Sequence, residues 1–388
     1  MHYDFDSVID RRGTNSMKWN IGDDELPMWV ADMDFATAPA ITEAVLGKAL
    51  SGVFGYGVVP DSFYTAIEFW WASRYGWMIP SESIQFCVGV MPAVSSLIRT
   101  FTLPGDAVVV QAPVYNCFYT SIEQCKRRVL VNNLRYADGH FSIDWVDLEH
   151  QLSDPYAKIL LLCNPQNPTG QIWNAGDLAR IGALAASHGV IVVSDEIHGD
   201  ITEPGRSYVP FASVDPTCAN NSITLISPTK PFNIPGLQTS ALITSNPDLR
   251  VRVATGLKRD ELVLPNSFAI EATIAAYTRG GAWLDQMRTY VWANKSRLTD
   301  FARQQLPQMT VIPSQATYLS WIDCTRLAPD ADHFARFLRE QTGLVVNAGR
   351  MYGPNSAAFI RLNLACPQAL LDDGLHRLAR GLTAWLDR

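Results

Sequence analysis

From about residue 84 the chain settles into one rhythm: short apolar runs without polar alternation, each followed by a helical pattern. The runs Ile84–Val88, Ala107–Gln111, Ile159–Cys163, Val190–Ser194, Ser222–Ile226 and Ala241–Thr244 read as strands, and Ala93–Phe101, Tyr115–Gln124 and Asp177–His188 as helices. A strand with no polar face has no side to turn to water, so these strands belong in a mostly parallel sheet with helices on both faces. The expected fold is α/β, with a large domain over residues 46–280. The rhythm changes after Gly280-Gly281. A helical pattern from Trp283 to about Gln305 leads into strands at Thr310–Ile312, Tyr318–Ile322, Val345–Val346 and Phe359–Asn363, with helices at Asp332–Gln341 and Gln368–Leu386. That segregation suits a smaller α+β domain, built from residues 281–388 together with 1–45. Within the irregular first 45 residues, Asp24–Phe35 mixes a proline, apolar side chains and three aspartates, as expected of a segment laid across a core. Asp61–Trp71 has helical apolar spacing.

Composition narrows the function classes. The 388 residues are 47% hydrophobic and 18% charged, which excludes a disordered chain and fits two domains. A net charge of −7 argues against nucleic acid or an anionic membrane surface as partner. No apolar run approaches the ~18 residues that span a bilayer, and the acidic, polar N-terminus does not read as a secretory signal. The seven cysteines include no C-x-x-C pair, so reduced thiols in the cytoplasm are expected, with neither a disulfide framework nor a bound metal.

In open α/β sheets ligands bind at the carboxyl ends of the strands. Five of the runs end on residues with chemical use: Gly89-Val90-Met91, Ala112-Pro113-Val114-Tyr115, Asn164 to Gly170, Asp195 to His198, and Ser227-Pro228-Thr229-Lys230. Each has a plain alternative. A loop lysine is commonly a solvated charge, an aspartate after a strand a helix cap, an Asn-Pro pair a turn, and a tyrosine or histidine a packing residue. Yet the chain has only seven lysines, and Lys230 alone lies just past an apolar run between prolines. Taken together, lysine, carboxylate, aromatic, amide and an anion-binding turn are what pyridoxal phosphate requires. The lysine links to it, the carboxylate keeps its pyridine nitrogen protonated, the aromatic stacks on the ring, and amides at a helix N-terminus hold the phosphate. Two other chemistries fit less well. Ser227 to Lys230 matches S-x-x-K, but the partner tripeptides S-D-N and K-T-G are missing and Pro228, Pro231 and Pro235 spoil the helix that motif needs. No strand is followed by G-x-G-x-x-G, so a Rossmann dehydrogenase is disfavoured.

The motifs NPQNPTG at 164–170, SDEIH at 194–198 and SPTKPFNIPG at 227–236 resemble the fold-type I pyridoxal-phosphate enzymes of aminotransferase class I/II, and Asn167, Asp195 and Lys230 are spaced by 28 and 35 residues. The stretches FDSVIDRRGTNSMKW at 5–19, LPMWVADMDFATAP at 26–39, GVFGYG at 52–57 and IRLNLACP at 360–367 further resemble the MalY/PatB cystathionine β-lyase subfamily. The resemblance covers essentially the whole chain. It implies that Lys230 carries the cofactor, Asp195 partners the ring nitrogen, Asn167 and His198 meet the ring hydroxyl, and Tyr115 stacks on the ring. It implies that Val90, Met91 and Ser227 hold the phosphate, with Tyr56 reaching across to the neighbouring subunit's. It implies that Arg361 clamps the substrate carboxylate and that Asp32 and Asp34 line the substrate side. Where many aminotransferases place an arginine at the phosphate, this chain has Gln238. The implied protein is a cytoplasmic homodimer with shared sites. It would split L-cystathionine or a related cysteine S-conjugate into thiol, pyruvate and ammonia, a step of methionine biosynthesis. An aminotransferase with the same cofactor is the alternative, and a lyase that also binds a regulatory protein is a second.

Overall fold

A computed structural model describes residues 2–388. Seven strands form the large sheet: β1 (Ile84–Cys87), β2 (Ala107–Ala112), β3 (Arg128–Asn133), β4 (Ala157–Cys163), β5 (Ile191–Asp195), β6 (Ser222–Ile226) and β7 (Ser240–Ile243). Their order is β1-β7-β6-β5-β4-β2-β3. All run in one direction except β7, which is antiparallel to both neighbours. β2 and β6 are buried at every residue, as their unbroken apolar character requires. β3 is absent from the sequence expectation for a physical reason. It lies at the sheet edge, and its RVLVNN carries exposed Arg128 and Asn133 in place of an apolar run.

A second, antiparallel sheet follows: β8 (Thr310–Val311), β9 (Leu319–Asp323), β10 (Asn347–Ala348) and β11 (Phe359–Asn363), in the order β8-β9-β11-β10. The long helix Gly281–Gln305 serves both bodies of the chain. Trp283, Leu284 and Met287 at its start join the core under Trp70 and Tyr277, while Leu298 and Ala302 near its end join the core beneath the second sheet.

The N-terminal segment is likewise shared. Leu26 and Pro27 pair in parallel with Leu344 and Val345, and the Asp34 amide donates to Ala365 O at 2.9 Å. Phe5, Met33 and Phe35 pack instead with Trp283 and Phe232 of the larger core. A buried charge cluster fixes this segment. Lys18, 1% exposed, donates to Asp34 Oδ2 at 2.6 Å. Asp34 Oδ1 accepts from Trp19 Nε1 at 2.8 Å and Arg11 Nη1 at 2.9 Å, while Arg11 Nη2 meets Asp32 Oδ2 at 2.7 Å.

Removing one member of a buried pair leaves the other charge uncompensated. Lys18→Met is therefore expected to destabilise the protein by about 3 kcal/mol, read as a lower urea midpoint at unchanged slope. A midpoint equal to wild type would show that the cluster adds nothing to folding.

Candidate active site

The carboxyl ends of the parallel strands open onto one cavity of about 270 Å³. On its first wall, helix α1 (Val90–Phe101) begins directly after Gly89. The opening amides of a helix have no acceptor within it, and the macrodipole makes that end positive. Gly89, Val90 and Met91 all line the cavity, so this end faces it. Ser227 is buried at the end of β6. Its hydroxyl donates to Thr239 O at 2.6 Å and accepts the Thr229 amide at 3.1 Å, and it is Thr229 and Thr239 that line the cavity. Gln238, in the left-handed conformation at φ 50°, lines it too.

Asp195 ends β5 and is 4% exposed. Burial pushes its carboxyl up to about 7, against the Ile197 amide at 3.1 Å and nearby Lys230. Lys230 stands in the link from β6 to β7 and donates through Nζ to Ala31 O at 2.6 Å. Burial, with Arg361 close by, lowers its amine to about 8. His198 is buried, its Nδ1 has no partner among the described residues, and burial lowers its pKa to about 3, so the ring is neutral. Tyr115 immediately precedes the helix Asn116–Gln124 and lines the cavity, and burial raises its phenol.

Asn167 lines the same cavity from the turn after β4. Gly170 closes that turn at φ 71°, where a Cβ would stand 2.7 Å from Ala316 O. The Gly170 carbonyl accepts the Gln315 and Ala316 amides, which ties the turn to the chain entering the second sheet. Arg361 arrives from that sheet on β11 and is 3% exposed. Its Nη1 donates to Asn167 Oδ1 at 3.3 Å and its Nη2 to Trp29 O at 2.9 Å, with the guanidinium 5.0 Å from the Tyr352 ring centre. Nε has no partner, and no carboxylate pairs with Arg361 among the described residues. A buried guanidinium without a counter-charge is a receptor for a planar anion.

Lys230, Asp195, Asn167, His198, Tyr115, Val90 and Met91 thus meet at one cavity, with Arg361 bonded to its rim at Asn167. Asp32 and Asp34 turn their carboxylates to Arg11 and Lys18. Tyr56 is 99% exposed in the irregular stretch before the helix Asp61–Tyr75 and does not line the cavity. The Ala31 carbonyl and the Tyr318 hydroxyl that donates to it at 2.8 Å were not foreseen. A backbone acceptor carries no residue-type signal, and Tyr318 reads as a strand residue.

The class I and II aminotransferase family model matches residues 26–378. The chain belongs to that family. It is 42% identical to cystathionine beta-lyase PatB of Bacillus subtilis over 98% of this chain and 100% of that one. It is 37% identical to protein MalY of Escherichia coli over 98% and 99% of the two chains. Among solved structures it is similar to cystalysin of Treponema denticola, which contains pyridoxal 5'-phosphate. That match has a TM-score of 0.95 at 31% identity and covers 99% of this chain and 100% of the other. The PLP-bound C-S lyase of Staphylococcus hominis matches with a TM-score of 0.92 at 29% identity, over 98% of both chains. The family's α/β architecture with a mostly parallel central sheet is the one described above. No group of three or more potential metal ligands occurs among the described residues.

The raised Asp195 has a consequence for the ligand-free protein. Its folded pKa, about 7, lies above its ordinary value of 3.8, so the folded state holds this proton more tightly than the unfolded chain. The associated stability is complete below about pH 4 and is lost as pH rises through 7. Asp195→Asn removes that titration. Its stability relative to wild type is expected to grow between about pH 4 and pH 7 and to level off above that, in urea unfolding of cofactor-free protein. A difference that stays flat with pH would mean that Asp195 ionises normally.

Proposed function

We propose that this protein is a pyridoxal-phosphate-dependent carbon–sulfur lyase that eliminates the thiol from L-cystathionine or a related cysteine S-conjugate. The observation that carries the reading is one cavity holding a lysine with a lowered pKa and a buried carboxylate, with an unpaired arginine at its rim. It occurs in a chain similar over its whole length to cystathionine β-lyases. The residues fit the cofactor. The free amides at Val90 and Met91 suit its phosphate, with Thr229, Gln238 and Ser227 beside them and no arginine in the cavity wall. Unpartnered His198 Nδ1 and Asn167 suit the ring hydroxyl, Tyr115 the ring face, and Asp195 the ring nitrogen, whose cation would return that carboxyl to its charged form.

When bound, the cofactor supplies an electron-withdrawing ring joined to the substrate amine, which acidifies the substrate Cα–H. The chain's residues do the rest. Arg361 grips the α-carboxylate with the fork now resting on Trp29 O and Asn167 Oδ1. Asp195 keeps a proton on the ring nitrogen. Lys230 Nζ takes the Cα proton, and an amine lowered to about 8 is partly neutral and able to do so at neutral pH. The Cβ–S bond then breaks with its electron pair leaving on sulfur, and the released unsaturated amino acid hydrolyses to pyruvate and ammonia. Asp32 and Asp34 act from behind, through the segment that carries Ala31.

A homodimer completes this reading, with residues 46–280 as the cofactor domain and 1–45 with 281–388 as the smaller one. What supports pairing is an exposed apolar stretch that a lone protomer leaves wet: Leu46, Leu50, Val53, Phe54, Val58 and Leu264, with Tyr56 among them. Tyr56 would reach the partner's phosphate. Seven free cysteines suit a reducing cytoplasm, and homocysteine release would serve methionine biosynthesis. No helix among the described residues is long and apolar enough to cross a membrane.

Purified protein given L-cystathionine without any keto acid is expected to release pyruvate and thiol over many turnovers, and Lys230→Ala to abolish them. A single turnover that then needs a keto acid to resume would instead make it an aminotransferase. Sedimentation at micromolar concentration is expected to give twice the chain mass. A fully active monomer at that concentration would refute the shared site.

A further inference from the structure

From Trp29 to Met33 five successive carbonyls face side-chain donors. Trp29 O accepts from Arg361 Nη2 and from Asn347 Nδ2, each at 2.9 Å. Val30 O accepts from Asn363 Nδ2 at 2.7 Å. Ala31 O accepts from Lys230 Nζ at 2.6 Å and from Tyr318 Oη at 2.8 Å. Asp32 O is held by Asn363 and Lys18, and Met33 O by Arg11 and Asn233. Two of these donors, Arg361 and Lys230, are the groups that ligands claim under the function proposed above, on which this inference rests. Each shares its carbonyl with a neutral donor that binds no ligand in that reading.

We propose that Asn347 and Tyr318 are positioning residues that stand in for the two cations, keeping the Trp29 and Ala31 carbonyls bonded once ligands take Arg361 and Lys230. A buried carbonyl stripped of its last donor is costly. When Lys230 links to the cofactor aldehyde, Nζ bonds the aldehyde carbon. The aldehyde oxygen leaves as water with both hydrogens of the neutral amine, which leaves none for Ala31. With Tyr318 in place Ala31 O keeps a donor, and the link forms without an orphan. Asn347 does the same for Trp29 O when a carboxylate draws Arg361 away. Its second amide hydrogen goes to Tyr352 Oη at 3.0 Å, which fixes its orientation. Tyr318 is fully buried, which holds its hydroxyl in place against Ala31 O.

The two stand-ins act on different ligands, and that gives a crossed test by binding alone. Cofactor-free wild type, Tyr318→Phe and Asn347→Ala are titrated calorimetrically with pyridoxal phosphate, and the loaded proteins with 3-(methylthio)propionate, a carboxylate without an amine. Tyr318→Phe is expected to weaken the cofactor roughly tenfold and the carboxylate less than about twofold; Asn347→Ala is expected to do the reverse. Loss of packing alone would move both affinities together. Tyr318→Phe keeps the ring volume, and Asn347→Leu replaces Asn347→Ala should the latter melt below the assay temperature. Wild type that binds both ligands beside variants with unchanged or equally shifted affinities overturns this inference alone. Wild type that takes up no pyridoxal phosphate overturns the proposed function and this inference with it.

Discussion

The segment from Trp29 to Asp34 bonds simultaneously to both sheets, and the site exists because it does. Lys230 belongs to the link between β6 and β7 of the large sheet, and Arg361 to β11 of the small one. No strand pairing joins those sheets. What brings the two cations to a common register is a stretch of backbone whose carbonyls accept from both, clamped by Asn233 on one side and Asn363 on the other. Side chains satisfy those carbonyls because no neighbouring strand does, and a buried backbone acceptor must be satisfied somewhere. The Lys18–Asp34 pair beneath the segment is the electrostatic part of the same clamp. Both charges are buried, so neither tolerates the other's loss.

The electrostatics of the cavity follow from its depth. Burial moves Asp195 up and Lys230 and His198 down, because it disfavours each charged form. Glu196 next to Asp195 is raised to about 7 by the same cause, and it is held by Ser194 Oγ and the Phe211 amide at 2.8 Å each. A carboxyl near 7 and an amine near 8 can exchange protons near neutral pH, while His198 stays neutral there. The site also has a use for a ligand that carries both signs, a cation for Asp195 and an anion for Arg361.

How legible this was in the sequence differed from element to element. The apolar runs announced β2, β4, β5 and β6 to within a residue or two, because a strand buried on both faces can hold nothing else. The helix Gln368–Leu386 matches its expectation at both ends. β3 was missed because its edge position lets polar residues in. The helices Pro39–Leu50 and Ala269–Arg279 were missed because the first buries only Ile41 and the second is buried largely through alanines, so neither shows a stripe of large apolar residues. Lys230 and the turn that carries Asn167 stood out by their places at strand ends, whereas Arg361 was nameable only through motif resemblance. The separation of 194 positions between Asn167 and Arg361 gave no sign of the 3.3 Å contact.

The sequence alone determined the α/β class, the set of reactive residue types at the strand ends, and through its motifs the family and cofactor chemistry. Those properties reside in local patterns: apolar continuity, turn residues and the spacing of a few side chains. Only the tertiary structure decided which aspartates face the cavity and which face Arg11 and Lys18, that Ser227 spends its hydroxyl on Thr239, that Tyr56 points to solvent, and that the Ala31 carbonyl receives Lys230. Each of those depends on how distant segments meet, and a backbone carbonyl looks the same at every position until the fold chooses its donor.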